Sequence, residues 1–298
     1  MTGHSPLFRL CQDTYSSIKA QYPKDGRRKW KLRVAEQFWK LDPESKAVLN
    51  IGVDPISWAN ADFVTDVDPW DESTSNIPEI GILVRTDYTN EDAWQTVYAK
   101  LKEAEKEFAS DDISEADKMV EDEPARGTQN QVSPADAMQE DDSSSSDEDD
   151  EGIGLIFKII NPQSSESRAQ FTSISNLAAL RLFNDMDIRL APTPPAGTQR
   201  IKPPNRLVDF HGWQEVYSGK SLWIYDVTSN EDQCVRIVGQ SGDMYGTATG
   251  DSWRARVSHI CELQVNLHGG MKIDFGGLDR WDYGERQRNM HEANLPIT

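Results

Sequence analysis

Three aspartates of the 298-residue chain fall where apolar runs give way to turn formers. Asp87 closes Gly81-Ile-Leu-Val-Arg-Thr-Asp, Asp226 follows Ser221-Leu-Trp-Ile-Tyr, and Asp274 sits inside Met271-Lys-Ile-Asp-Phe. If those runs are neighbouring parallel strands, their carboxyl ends gather the three carboxylates beside Arg85, a donor set for a polar ligand or Mg²⁺. The same residues also serve as ordinary turn starters and helix caps. They are the chain's candidates for catalysis. His259, Cys261 and His268 do not extend the list, because helical residues two apart point about 200° away from each other and the spacing matches no zinc pattern. His211 has no serine or cysteine at a recognisable nucleophile elbow. The runs SGDMYGTATGDS and FGGL form neither a phosphate-binding Walker loop nor a GxGxxG turn after a strand. Neither a metal nor a cofactor is expected from this inventory.

The elements that position these residues can be read from periodicity. Gly81 to Asp87 is a short buried strand. Thr89 with Asp92 three positions on is a capping-box-like helix start. Trp94, Val97, Leu101, Ala104 and Phe108 then recur at helical spacing. Leu155 to Ile160 reads as a second strand, closed by Asn161-Pro162. Ser165 to Phe183 reads as one helix, Met186 to Leu190 as a short strand, and 192–204 as a proline-rich connector. Ser221 to Val227 and Cys234 to Val238 form a hairpin. Ser252 to Leu267 has Trp253, Val257, Ile260 and Gln264 at helical spacing, stopped by Gly269-Gly270. Met271 to Phe275 is a last strand, and Leu278 to Asn294 a polar helical tail. Trp213, Tyr217, Trp223 and Tyr225 supply core or a binding face. Alternating strands and helices predict an α/β or α+β fold, a mixed sheet with flanking helices.

The formal charge of -19 is unevenly distributed. Residues 1–50 hold ten Lys/Arg and five Asp/Glu, 51–101 hold two and ten, 102–152 hold four and nineteen, and the remainder fifteen and sixteen. This divides the chain into a basic helical head (1–50), an acidic linker (51–79), one mixed domain (80–108 and 153–285) and an acidic insertion (109–152). The insertion is so poor in apolar residues that it is expected to be disordered. Ser144, Ser145 and Ser146 each precede an acidic residue by three positions, a pattern that suits acidophilic kinases and makes them phosphorylation candidates. No run of about 18 apolar residues predicts a membrane span, and no apolar stretch near the N-terminus predicts a secretory signal. Three scattered cysteines with no CxxC suit a reducing compartment. The expected location is cytoplasmic, nuclear or both.

Two resemblances add to this. GILVRTDYTNEDAW resembles the opening of an uncharacterised domain family of bacteria and filamentous fungi, carried here by Arg85, Thr86, Asp87, Tyr88, Asp92, Ala93 and Trp94. Glu262, Asn266 and Leu267 resemble that family's closing Glu-x-x-x-Asn-Leu element. The resemblance implies a fold unit over 80–108 and 153–277, and no activity. The head is similar to the second half of an HMG box at Ile18, Lys19, Pro23, Trp39, Leu41, Pro43, Glu44 and Lys46, without that family's Arg-Pro-x-Asn-x-Phe entrance. That similarity implies contact with DNA, and the cluster Arg27, Arg28, Lys29, Trp30, Lys31 and Arg33 is the candidate nucleic-acid surface within residues 5–50. The sequence reading is thus a non-enzymatic intracellular interaction or regulatory protein with a protein partner. The alternatives are a DNA-associated nuclear factor acting through the head and an enzyme using the strand-end carboxylates.

Overall fold

Every residue of strand β1 (Gly81–Arg85) is buried, and its place in the sheet explains why. In the computed structural model β1 lies between two parallel neighbours, β2 (Phe157–Ile160) and β5 (Ser221–Tyr225). A parallel strand covered on both faces needs a continuous apolar run, which Gly81-Ile-Leu-Val supplies. Antiparallel strands β6 (Cys234–Gly239) and β7 (Asp251–Arg256) complete the sheet in the order β2-β1-β5-β6-β7. The structure describes residues 5–49, 60–74, 80–120 (backbone alone from 109), 156–273 and 283–297. Asp274, Ser144, Ser145, Ser146 and residues 121–152 of the expected disordered insertion lie outside the described residues, whereas the backbone of 109–120 is described as helix.

Alternation along the strands divides the interior into two cores. Leu83, Trp223, Tyr225, Val235 and Ile237 face helices α6 (Glu91–Val120) and α10 (Ile260–His268), meeting Trp94, Val97, Leu101, Ile260 and Cys261. Ile82, Val84, Leu222, Ile224 and Val238 face the opposite way. There they meet the head helices α1 (Pro6–Gln21) and α2 (Arg27–Lys40), helix α8 (Asn176–Phe183) and a two-stranded ribbon of β3 (Asp185–Leu190) with β4 (Trp213–Ser218). The fold is therefore α+β, a mixed sheet with flanking helices, and the head shares a core with the sheet.

Five features differ from the sequence expectation. Ser165 to Phe183 is two helices, α7 (Ser165–Phe171) and α8, not one. Ser173 turns left-handed at φ 53 and donates its N–H to the Thr86 carbonyl (3.0 Å), while Ser175 caps α8 by accepting from the Ala178 N–H (2.9 Å). Residues 252–256 are strand rather than helix, because the open edge of β6 pairs with them from Cys234↔Arg256 to Gly239↔Asp251. Only from Ile260 does the helical spacing hold. Met271 to Ile273 are not strand: Met271 and Lys272 are exposed and the Met271 N–H folds back to the Asn266 carbonyl (2.9 Å). The cap of α6 is Asn90, whose Oδ1 accepts from the Ala93 N–H (3.0 Å), and Thr89 is engaged elsewhere. Strand β4, which the sequence reading lacked, buries Trp213 and Tyr217.

The β1–α6–β2 crossover is fastened from inside. Glu105 of α6 is 4% exposed, and its Oε1 accepts from the backbone N–H groups of Ile156 (3.1 Å) and Phe157 (2.9 Å), the start of β2. Glu105→Ala leaves two buried donors without an acceptor and is expected to lower unfolding free energy by about 3 kcal/mol in urea denaturation.

Candidate functional site

The carboxyl ends of β1 and β5 bring Arg85, Asp87 and Asp226 to one edge of the sheet, as parallel neighbours must. Each is already engaged by local partners. Asp87 Oδ1 accepts from the Thr89 N–H (3.1 Å), the Thr89 hydroxyl (2.7 Å) and Asn230 Nδ2 (2.8 Å). Asn230 Oδ1 in turn accepts from the Tyr225 hydroxyl. The chain Tyr225–Asn230–Asp87–Thr89 therefore laces the two strand ends together. Asp226 accepts from the Ser229 N–H (3.1 Å) and hydroxyl, starting the turn into helix α9 (Ser229–Asp232). Both oxygens of Asp226 also receive Arg254 Nη1, at 3.0 and 2.9 Å. From β7, the same guanidinium reaches Asp232 (2.9 Å) and the Cys234 carbonyl (3.1 Å), so one side chain clamps the whole β5–β6 connection.

Arg85 is fully buried. Its Nε donates to the Asp87 carbonyl (2.9 Å), Nη2 pairs with Glu91 (2.8 Å), and its plane lies 4.9 Å from the Trp94 ring centroid and 5.0 Å from that of Tyr88. The Arg-Thr-Asp end of β1 is thus a joint between β1, α6 and α9. Among the described residues no group of three or more His, Cys, Asp or Glu is arranged to hold a metal ion.

The electrostatics are those of a joint. Burial pushes the Asp87 carboxyl up, but hydrogen bonds from Thr89 and Asn230 and the charge of Arg85 outweigh it, so the net shift is downward. Hydrogen bonds from Arg85 and Gln95 hold Glu91 low as well. Burial pushes the Tyr88 and Tyr225 hydroxyls up to about 12. It pushes the Cys11 and Cys261 thiols up to about 12 also, so neither supplies a thiolate near neutral pH.

The basic cluster of the head, the candidate nucleic-acid surface, is mostly buried. Arg27, Arg28, Trp30 and Lys31 are 5–7% exposed. Arg28 Nη1 pairs with Asp68 (2.7 Å) and Nη2 with Asp71 (3.1 Å). Arg27 joins Asp71 (2.7 Å) to Asp185 of β3 (3.0 Å), and Lys31 also reaches Asp185 (3.1 Å). Lys29 (3.4 Å) and Arg33 (2.6 Å) converge on Asp25. Trp30 donates its indole N–H to the Tyr22 carbonyl (2.8 Å). A phosphate would have to displace carboxylates already in contact, four of them supplied by this same chain within hydrogen-bonding range of the cluster.

Comparison with protein-family models, with curated proteins and with solved structures gives no match for this chain. No helix among the described residues is long and apolar enough to cross a membrane.

Two expectations follow from these contacts. Arg28→Ala strands Asp68 in the interior and should lower unfolding free energy by about 3–5 kcal/mol in urea denaturation. A loss below about 1 kcal/mol, the range of an exposed pair, would mean that the guanidinium faces solvent and is free for an outside anion. For Asp87, the depressed folded value means that its contribution is complete above the unfolded carboxyl range, about 4, and is lost as pH falls through the folded value. Asp87→Asn keeps an oxygen acceptor without the charge and should cost about 1–2 kcal/mol at neutral pH. The gap from the parent should close below about pH 4 in denaturation curves taken across that range.

Proposed function

We propose that the protein is a non-enzymatic intracellular interaction or regulatory protein, and that the acidic stretch 109–152 is its contact element toward a basic protein partner. The observation that carries this reading is the closure of the β1–α6–β2 crossover beneath that stretch. Glu105 ties α6 to Ile156 and Phe157, and Gly81↔Phe157 begins the β1–β2 register. Among the described residues, these contacts join the two sides of the crossover without any residue of 121–152. Residues 102–152 carry nineteen Asp/Glu against four Lys/Arg, a density suited to salt-dependent attraction of a cationic surface. Phosphorylation of Ser144, Ser145 and Ser146 adds roughly 1.5 to 2 negative charges per site and strengthens the same attraction. The engagement of Asp87, Asp226 and Arg85 in structural contacts supports a non-enzymatic reading over a catalytic one.

The test is a chain with residues 111–151 replaced by a short Gly/Ser linker, compared with the parent by thermal unfolding and by cross-linking mass spectrometry in cell extract. The expected result is an unfolding midpoint within about 2 °C of the parent and loss of the parent's cross-linked partners. The same loss should follow in the parent when salt is raised from about 0.1 M to 1 M, where the screening length falls to about 3 Å. An unchanged partner set after replacement, or collapse of the fold, overturns the reading.

A further inference from the structure

Strand β3 runs directly into the proline-rich connector, and the junction has a spacing of its own. Residues 189–195 read Arg-Leu-Ala-Pro-Thr-Pro-Pro, placing Arg189, Pro192 and Pro195 three apart. Each proline locks its own φ near −65°, and each residue that precedes a proline is steered away from the helical region. Ala191, Pro192, Thr193, Pro194 and Pro195 all fall under one or both constraints. The chemistry dictates an extended, polyproline II-like course before any tertiary contact is made.

The contacts agree with that course. Among the described residues, Pro192, Thr193 and Pro194 make no hydrogen bond. The segment is tied to the body at its start, by the Ala191 N–H on the Gly212 carbonyl (2.9 Å), and runs into a turn in which the Thr198 N–H donates to the Pro195 carbonyl (2.9 Å). Farther on, the Ile201 N–H donates to the Tyr245 hydroxyl (2.7 Å). Leu190 is 58% exposed, and Thr193 and Pro195 are exposed too, whereas Ala191, Pro192 and Pro194 are half-buried. A polyproline II helix has three residues per turn, so Ala191 and Pro194 share the edge kept against the body. Leu190 and Thr193 are turned outward, and Pro192 with Pro195 forms an edge that passes from half-buried to exposed.

Arg189, next to last in strand β3 and paired with Gln214, stands three residues before Pro192. Its Nε pairs with Asp187 at 3.1 Å, with side chains 53% and 21% exposed, the kind of surface pair that contributes little. Asp187 also accepts from the Ile188 N–H (2.8 Å), so its carboxylate keeps a partner when Arg189 turns away.

We propose that residues 189–195 are a docking ligand for an aromatic-lined groove flanked by acidic residues, the chemistry by which SH3-type domains take proline-rich segments. The prolines fill the aromatic grooves and Arg189 meets the acidic flank. The three prolines and the tether at Ala191 leave the segment little conformational freedom to lose on binding. This surface goes beyond the acidic stretch 109–152 and is independent of it, being of opposite charge and on a different connection of the fold.

The probe is a purified, ¹⁵N-labelled SH3 domain that selects Arg-x-x-Pro-x-x-Pro peptides, titrated with the full chain and with the chain lacking residues 111–151. Both chains should shift resonances of the domain's aromatic groove with equal affinity. Arg189→Ala and Pro195→Ala should each weaken binding about tenfold or more, with thermal unfolding unchanged because both side chains are exposed. A free peptide of residues 187–197 that binds while the full chain does not would overturn the proposal, because the segment would then be sequestered. Unchanged binding by Arg189→Ala would overturn it as well, as would loss of binding on removing 111–151. Failure on any of these counts leaves the acidic-stretch reading standing, since that is tested by partner loss on deletion.

Discussion

Arg28 is 5% exposed and Asp68 3%, and charges so far from water persist only while each holds the other. Much of the architecture follows from that pair. Asp68 also accepts from the Arg28 backbone N–H (2.8 Å), taking the place of the N-terminal cap that Gly26 has no side chain to provide. Gly26 is required there: a Cβ would lie 2.3 Å from Pro69 Cδ and 2.7 Å from the Asp68 carboxylate. Asp71 and Asp185 extend the network through Arg27 and Lys31, and Asp66 adds Lys19 (2.7 Å) and the Tyr15 hydroxyl (3.0 Å). Helices α1 and α2, the acidic residues 66–71 and strand β3 are thereby held in one arrangement. Phe38 can then pack edge-on to Trp213 (5.3 Å between centroids), joining the head to the ribbon.

The sheet poses a complementary constraint. Parallel strands end together, leaving turns that must satisfy their own backbone groups. Asp87 and Asp226 do so through Thr89 and Ser229, and Arg254 and Arg85 neutralise the charge that collects there. The polar residues most suggestive of chemistry therefore do structural work, and the two surfaces proposed for partners belong to connections: the acidic residues 109–152 and the proline-rich span after β3.

Legibility in the sequence varied with the kind of signal. Strands β1, β2, β5 and β6 and helix α6 stood out because each is a short apolar run or a sustained stripe bounded by turn formers. The spacing of Trp253, Val257 and Ile260 suited a helix, yet Trp253 is 41% exposed and lies in β7. What decided was the unpaired edge of β6, which local periodicity does not contain. The break at Ser173 was hidden in the same way, since its acceptor, the Thr86 carbonyl, is remote in sequence. Strand β4 was concealed by Gln214 and Glu215, polar residues only 1% exposed, of which Gln214 donates to the Gly242 carbonyl and Glu215 accepts from the Arg181 guanidinium. At the candidate site, the positions of Arg85, Asp87 and Asp226 were legible as strand ends, whereas Asn230 and Arg254 were not, because nothing in their neighbourhood marks them as partners.

Composition and periodicity alone determined a mixed α/β or α+β domain, its central strands and the separation of a basic head from an acidic middle, because these depend on properties local in the chain. Tertiary structure alone decided where the charges went. A run such as Arg27-Arg28-Lys29-Trp30-Lys31 reads identically whether it faces water, a phosphate or its own carboxylates. Its partners at Asp68, Asp71 and Asp185 are roughly 40 to 160 positions away, and the cost of burying an ion is met only when folding brings the opposite charge within hydrogen-bonding distance.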